Sequence, residues 1–256
     1  MDAKNACTVQ SIDRIFTIME VLSQHPRGMS LTDVCTETDL PKGTTSRLLA
    51  SLITHRYAVQ EPDTKRYRMT LRMFEIGCRV ADSTNIRSVA QPYLESLSSV
   101  TGEAVHLVAR LQDDVVYLHK EEATHSIVRM SSFVGRHNPM YCTGVGKSIL
   151  AFLPDQEITE IWNRIEHIQY TPNTITDLPT LMEEIKTIRT CGYATDNEEH
   201  ELGVCCIAAP IHNFDGVPVA AISISAPRIR LDCEKLKDFA PMLLEAADNI
   251  SHYFGN

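Results

Sequence analysis

Three stretches of this chain bring polar side chains or backbone amides close together in the sequence. The first is Thr143-Gly144-Val145-Gly146, which opens the apolar run KSILAFL. Glycine at a helix start leaves backbone N–H groups facing outward, and those amides together with the helix dipole favour an anion. A nucleotide phosphate loop would need a glycine at position 141, where Tyr141 stands, so the nucleotide reading fails. A carboxylate suits the same amides, although a plain helix start with glycine in a tight turn is also compatible. The second group is the polar run Asp196-Asn197-Glu198-Glu199-His200-Glu201, followed by Cys206 in VCCIAAPI and by Ser223 and Ser225 in ISISA. The two serines share one strand face by the two-residue period, so their hydroxyls can stand side by side in a pocket or bond their own backbone. Histidines 106, 119, 200 and 212 could serve as bases, but no GxSxG or HExxH pattern sets any of them against a nucleophile. The sequence therefore speaks against an enzyme.

The third group is Lys42, Thr44, Thr45, Ser46 and Arg47, at the start of PKGTTSRLLASLITHRY. A side chain reads a DNA base from a helix lying in the major groove, so the first turn of such a helix is where polar and basic residues belong. Thr44, Thr45 and Arg47 are expected at bases or phosphates, and Lys42 at phosphate. Two helical patterns precede this one, SIDRIFTIMEVLSQ with its apolar face and LTDVCTETD, the second with Thr32 as its expected cap. Behind it, YAVQ and RYRMT flank the turn EPDTK, a hairpin with Lys65 and Arg66 near its tip, placed to touch the DNA backbone or minor groove. That order is a helix-turn-helix followed by a wing.

The elements beyond it form an α+β domain. RSVAQPYLESLSSV is helical; HLVARL, VVYLHKEE and SIVRMSS read as strands; GVGKSILAFL, DQEITEIWNRI and LPTLMEEIKTIRTCG read as helices. VCCIAAPI and VPVAAISISA form a hairpin across HNFDG, and a last helix ends the pattern. Strands in hairpins with flanking helices predict an antiparallel rather than a βαβ sheet. These patterns divide the chain at 1–70, 71–85 and 86–256, with a DNA-binding domain first and a helix joining it to the α+β domain.

A net charge of −9 taken as a whole argues against nucleic acid, but residues 1–80 hold 11 basic and 9 acidic side chains, and residues 81–256 hold 13 and 24. The acidity belongs to the second part. So weakly basic a first part offers few phosphate contacts per copy, which implies that two copies bind a symmetric site. No apolar run reaches the roughly 18 residues of a membrane span, and the amino end lacks a signal-peptide core, so a cytoplasmic location is expected. The eight cysteines show no CxxC, which points to reduced, buried thiols and to no metal or other cofactor.

The segments SIDRIFTIMEVL, LPKGTTSRLLASLITHRYAVQ, YRMTLRMFEIG, NPMYCTGVGKSILAFLP, GYATDNEEHELGVCCIAAPI and AAISISAPRIRL together resemble the IclR family of bacterial transcription regulators, from about Thr8 onward. Within it, IVRMSSFVGRHNPMYCTGVGK is most similar to members that respond to ketodeoxygluconate and related sugar acids. The resemblance implies a winged helix-turn-helix, a linker helix and a GAF-like effector domain, assembled as dimers or tetramers. It implies a DNA operator and a small organic-acid effector as partners, with repression relieved by the acid as the first expectation. By position it makes Gly144 and Val145 amide donors, Asp196 and Cys206 side-chain contacts, Ser223 and Ser225 hydroxyl contacts, and Met140 and Val204 apolar walls. Two positions depart from the family. Gly43 stands where serine is common, and Arg56 replaces the glycine usual before Tyr57, where a left-handed turn would be strained. A redox-sensing regulator using Cys206, or an enzyme with an appended DNA-binding domain, are the alternative readings.

Overall fold

The structure, a computed structural model, describes residues 9–83, 86–122 and 132–254. Its contacts divide the chain into two compact units, Met1–Val80 and Ala81–Asn256.

In the first unit, α1 (Gln10–Ser23), α2 (Leu31–Thr38) and α3 (Lys42–Thr54) enclose Ile18, Leu22, Val34, Leu49 and Leu52. The apolar spacing of each helix turns one stripe inward, and the burial of those stripes holds together helices too short to persist alone. The cap of α2 is Ser30 rather than the expected Thr32. Ser30 Oγ accepts from the Asp33 amide at 3.2 Å and its own amide donates back to Asp33, a reciprocal capping box. Strands β1 (Ala58–Gln60) and β2 (Tyr67–Met69) pair antiparallel as the wing. Helix α4 spans Arg72–Ser83.

Between α3 and β1, Arg56 has φ +64°, so the left-handed turn is kept without its glycine. Thr70 Oγ1 donates to the Arg56 carbonyl at 2.5 Å and helps hold the turn. The left-handed conformation costs a side-chain-bearing residue about 1–2 kcal/mol, while glycine adds roughly 0.5–1 kcal/mol of unfolded-state entropy. Arg56→Gly is therefore expected to stabilise this unit by about 0.5–1 kcal/mol. Urea titration followed by circular dichroism checks it; an unchanged or lower midpoint contradicts the strain.

The second unit begins with α5 (Ile86–Thr101) and carries a six-stranded antiparallel sheet ordered β5-β4-β3-β8-β7-β6. The strands are β3 (Ala104–Leu111), β4 (Asp114–Glu121), β5 (His137–Pro139), β6 (Ala194–Asn197), β7 (Val204–His212) and β8 (Pro218–Pro227). Side chains alternate between its two faces. Ile207, Ile222 and Ile224 point to one face and pack with α5, α9 (Cys233–Leu236) and α10 (Ala240–Tyr253). Cys206, Ala208 and Ala221 point to the other, under α6 (Gly144–Leu150), α7 (Asp155–Arg164) and α8 (Leu178–Cys191). Asp196 and Asn197, the head of the polar run, end strand β6 instead of lying in a loop. The expected strand SIVRMSS falls outside the described residues except for Ser132.

Candidate functional site

The antiparallel register assembles a polar floor on the α6 face of the sheet. One cross-strand row runs Asp196, Cys206, Ser225, and the next sets Ser223 opposite His106. With Thr143, Gly144 and Val145 above them, these residues enclose a cleft of about 500 Å³, its solvent-open mouth included. Thr143 caps α6, its Oγ1 accepting from the Gly146 amide and donating to the Pro139 carbonyl, both at 3.1 Å. Gly144 and Val145 are the first two residues of α6, whose amides have no acceptor within the helix. A Cβ on Gly144 would meet Cys206 Sγ at 3.1 Å, so glycine lets α6 start directly over β7.

Of the acid-site residues expected from the sequence, Gly144, Val145, Asp196, Val204, Cys206, Ser223 and Ser225 all line this cleft. Met140 does not, and its role as a wall is corrected. It is fully buried in the core, and a Cβ at Gly146 would lie 2.3 Å from its Cα. Met140 thus packs beneath the helix start, where Gly146 makes room for its backbone. Also lining the cleft are Tyr117 from β4, Arg136 and Asn138 from the segment around β5, and Glu201, which the sequence reading left out of the site, and His106 and His200, which it weighed only as possible bases. Only the pairing of β3 with β8 signals His106, because it places that residue against Ser223.

Electrostatics separate the polar groups by role. Lys147 is 0% exposed, with Nζ 2.6 Å from Glu199 Oε1 and 3.3 Å from Glu184 Oε1. Burial alone would strip its proton, but the carboxylates, Glu199 foremost, outweigh burial and keep it charged. Asp196 has the opposite fate. Burial, and then the charge of Glu199, push its carboxyl up to about 7, against the pull of Lys147 and of the Glu199 amide bonded to Oδ1 at 2.7 Å. Burial, then the charge of Lys120, bring His106 down to about 3, so its imidazole is neutral. Its Nδ1 lies 3.3 Å from Ser223 Oγ and 3.4 Å from Ser225 Oγ, and its Nε2 lies 2.9 Å from Ser132 Oγ. A serine beside an imidazole could suggest a nucleophile and its base, but so acidic an imidazolium makes a feeble base. A hydroxyl, not a carboxylate, faces its far nitrogen. Cys206 is pushed up to about 12, by burial first and Asp196 second, and stays a thiol at neutral pH, unlike the thiolate of a reactive cysteine.

On α3, Lys42, Ser46 and Arg47 are exposed and Thr44 is half-buried. Thr45 is 0% exposed, and its Oγ1 donates toward the Leu40 and Pro41 carbonyls at 3.4 and 3.2 Å. The expected DNA contact by Thr45 is therefore corrected: this side chain joins the domain core. A side chain at Gly43 would meet nothing within 4 Å, so packing does not demand glycine there. At the wing, Lys65 is exposed, while Arg66 Nη1 donates to the Gly28 carbonyl at 3.0 Å and ties the hairpin to the loop after α1.

A winged helix-turn-helix carried in one chain with an α+β domain that holds a polar cleft is the build of a DNA-binding transcriptional regulator. The chain belongs to the IclR family: residues 11–62 match the IclR helix-turn-helix domain and residues 78–252 match the bacterial transcriptional regulator IclR C-terminal domain. Its relatives include the HTH-type transcriptional regulator KdgR of Escherichia coli strain K12, 34% identical, with 98% of this chain and 95% of the relative covered. The DNA-binding transcriptional repressor YiaJ of the same organism is 36% identical, with 96% and 88% covered. Among solved structures, the IclR protein of Thermotoga maritima superposes with a TM-score of 0.79 at 33% identity, covering 96% of this chain and 99% of that one. Among the described residues, no helix is long and apolar enough to cross a membrane.

Proposed function

We propose that this regulator binds a pseudo-palindromic operator through α3 and the wing, and that a small organic acid in the cleft controls its occupancy. The carrying observation is the convergence of the Gly144 and Val145 amides with Asp196, Ser223, Ser225 and neutral His106 on one cleft. The amides take a carboxylate. The serines and His106, each both donor and acceptor, bond hydroxyl or keto oxygens, which suits a sugar acid or keto acid. Binding without turnover agrees with the poor basicity of His106, and relief of repression is the favoured sign because YiaJ is named a repressor. The ligand acts by preferring one arrangement of the regulator over another. A DNA-binding domain at 1–70, a linker helix at 71–85 and an effector domain at 86–256 carry these tasks. Self-association as a dimer or tetramer is supported by exposed Phe16, Met73 and Phe74 and by the weak basicity of the first 80 residues.

A thermal-shift screen of sugar acids and keto acids tests the effector reading. An acid at about 100 times its Kd stabilises the protein by roughly 2.7 kcal/mol, a shift of several degrees. Asp196→Ala should reduce that shift; if no acid moves the wild type, the effector reading falls. Recovery of the acids unchanged after long incubation separates a sensor from an enzyme. For the operator, Arg47→Ala is expected to weaken binding by about 1–3 kcal/mol in a gel shift, roughly tenfold or more. Undiminished binding would remove Arg47 from the interface.

A further inference from the structure

Cys205 and Cys233 meet on the face of the sheet opposite the cleft. Cys205 is fully buried on β7, where it pairs across the ladder with Asn197. Cys233 is the first residue of α9 and partly exposed, with Sγ 3.6 Å from the Asp196 carbonyl and 3.4 Å from Asn197 Oδ1. Both cysteines thus adjoin Asn197, and Cys233 packs against the apolar cluster that contains Cys205. The neighbouring Cys206 points through to the cleft and is not part of this pair. We propose that Cys205 and Cys233 are a dithiol that a hydroperoxide oxidises to a disulfide, a modification site directly behind the Asp196 wall of the cleft.

The surroundings divide the work between the two sulfurs. The hydrogen bond from Cys205 lowers the pKa of Cys233, with Arg228 helping, against burial and the charges of Asp196 and Glu199. The same hydrogen bond, with burial, raises Cys205. Cys233 is thus the more acidic and the more accessible thiol, the one suited to attack a peroxide. Its thiolate attacks one peroxide oxygen, the O–O bond breaks, and the other oxygen leaves as water or an alcohol after taking a proton. Cys233 becomes a sulfenic acid. The Cys205 sulfur then attacks it, the S–O bond breaks, and water leaves with the Cys205 proton. Two electrons pass from the sulfurs to the peroxide. The bond, about 2.0 Å long, draws α9 onto β7 and takes the Cys233 sulfur from the Asp196 carbonyl. If the cleft holds an acid as proposed above, oxidation shifts its wall and weakens the acid.

Full-length protein is treated with hydrogen peroxide, its remaining thiols are alkylated, and peptides are mapped by mass spectrometry without reduction. The expected product is a Cys205–Cys233 bridge that reductant reverses, that Cys206→Ser retains and that Cys205→Ser and Cys233→Ser both lose. No bridge, a bridge using other cysteines, or sulfinic acid accumulating on Cys233 without a bridge overturns the proposal. The second readout is the gluconate concentration needed for half the thermal shift. It should rise several-fold on oxidation of the wild type but not in peroxide-treated Cys233→Ser, and equal values in both redox states overturn the link to the cleft. If neither state binds any acid, the effector reading has failed, and the peptide map still decides the dithiol by itself.

Discussion

Lys147→Met is expected to destabilise the second unit by about 3–5 kcal/mol, the usual result of removing one partner from a buried ion pair. Methionine nearly matches the lysine side chain in length, so the loss is electrostatic rather than a cavity effect. Without the ammonium that stood 2.6 Å from its Oε1, Glu199 is left buried with no counter-charge on that side, and its second oxygen already has no partner among the described residues. Adding Glu199→Gln should recover much of the loss, because removing both ions from a buried pair is often close to neutral. Fluorescence of Trp162, the sole tryptophan, which α7 buries in the core cluster shared with α6 and α8, follows the unfolding of this unit in urea. A loss below about 1 kcal/mol, or a double variant as unstable as the single one, would show that the pair is not what holds this region.

Asp196→Asn is expected to make the protein more stable than the wild type above neutral pH. The folded-state carboxyl titrates near 7, and an unfolded one near 4, so folding binds the proton more tightly. That contribution is fully present below about pH 4 and is lost as pH rises through 7; a displacement of this size corresponds to roughly 4 kcal/mol at most. Asparagine keeps an oxygen for the Glu199 amide without a charge, so the variant should lose the decline and exceed the wild type by a few kcal/mol at about pH 8. Acid binding follows the same sign. A bound carboxylate disfavours ionised Asp196, so wild-type affinity should fall by up to about tenfold per pH unit above 7, while Asp196→Asn holds its affinity. A wild type whose stability and acid affinity are flat from about pH 5 to 8 would refute the buried, proton-holding Asp196.

The helix-turn-helix, the wing and the serine pair were legible because each follows a short-range period. The spacing of Ile12, Ile15, Phe16, Met19 and Leu22 marks a helix, although the structure buries Ile18 with Leu22 and leaves Ile12 and Phe16 exposed, and Ser223 and Ser225 share a strand face whatever lies opposite. The family resemblance pointed to the cleft, but the role of each residue depended on neighbours distant in sequence. Thr45 and Arg47 are two positions apart on one helix, and only the packing of α3 on the rest of its domain buries the first and exposes the second. Met140 looked like a pocket wall and is core, because the start of α6 sits on its backbone.

The two-part organisation, a basic-leaning reader of DNA followed by an acidic α+β domain, was readable from the chain alone, since charge balance and periodicity are local properties. The chemistry of the cleft, by contrast, arises from packing between distant segments. The neutrality of His106, the charge of Lys147, the proton on Asp196 and the meeting of Cys205 with Cys233 all depend on antiparallel register and burial. Those create a group's solvent and neighbours only when the strands pair, and a side chain's charge is set by that surrounding rather than by its residue type.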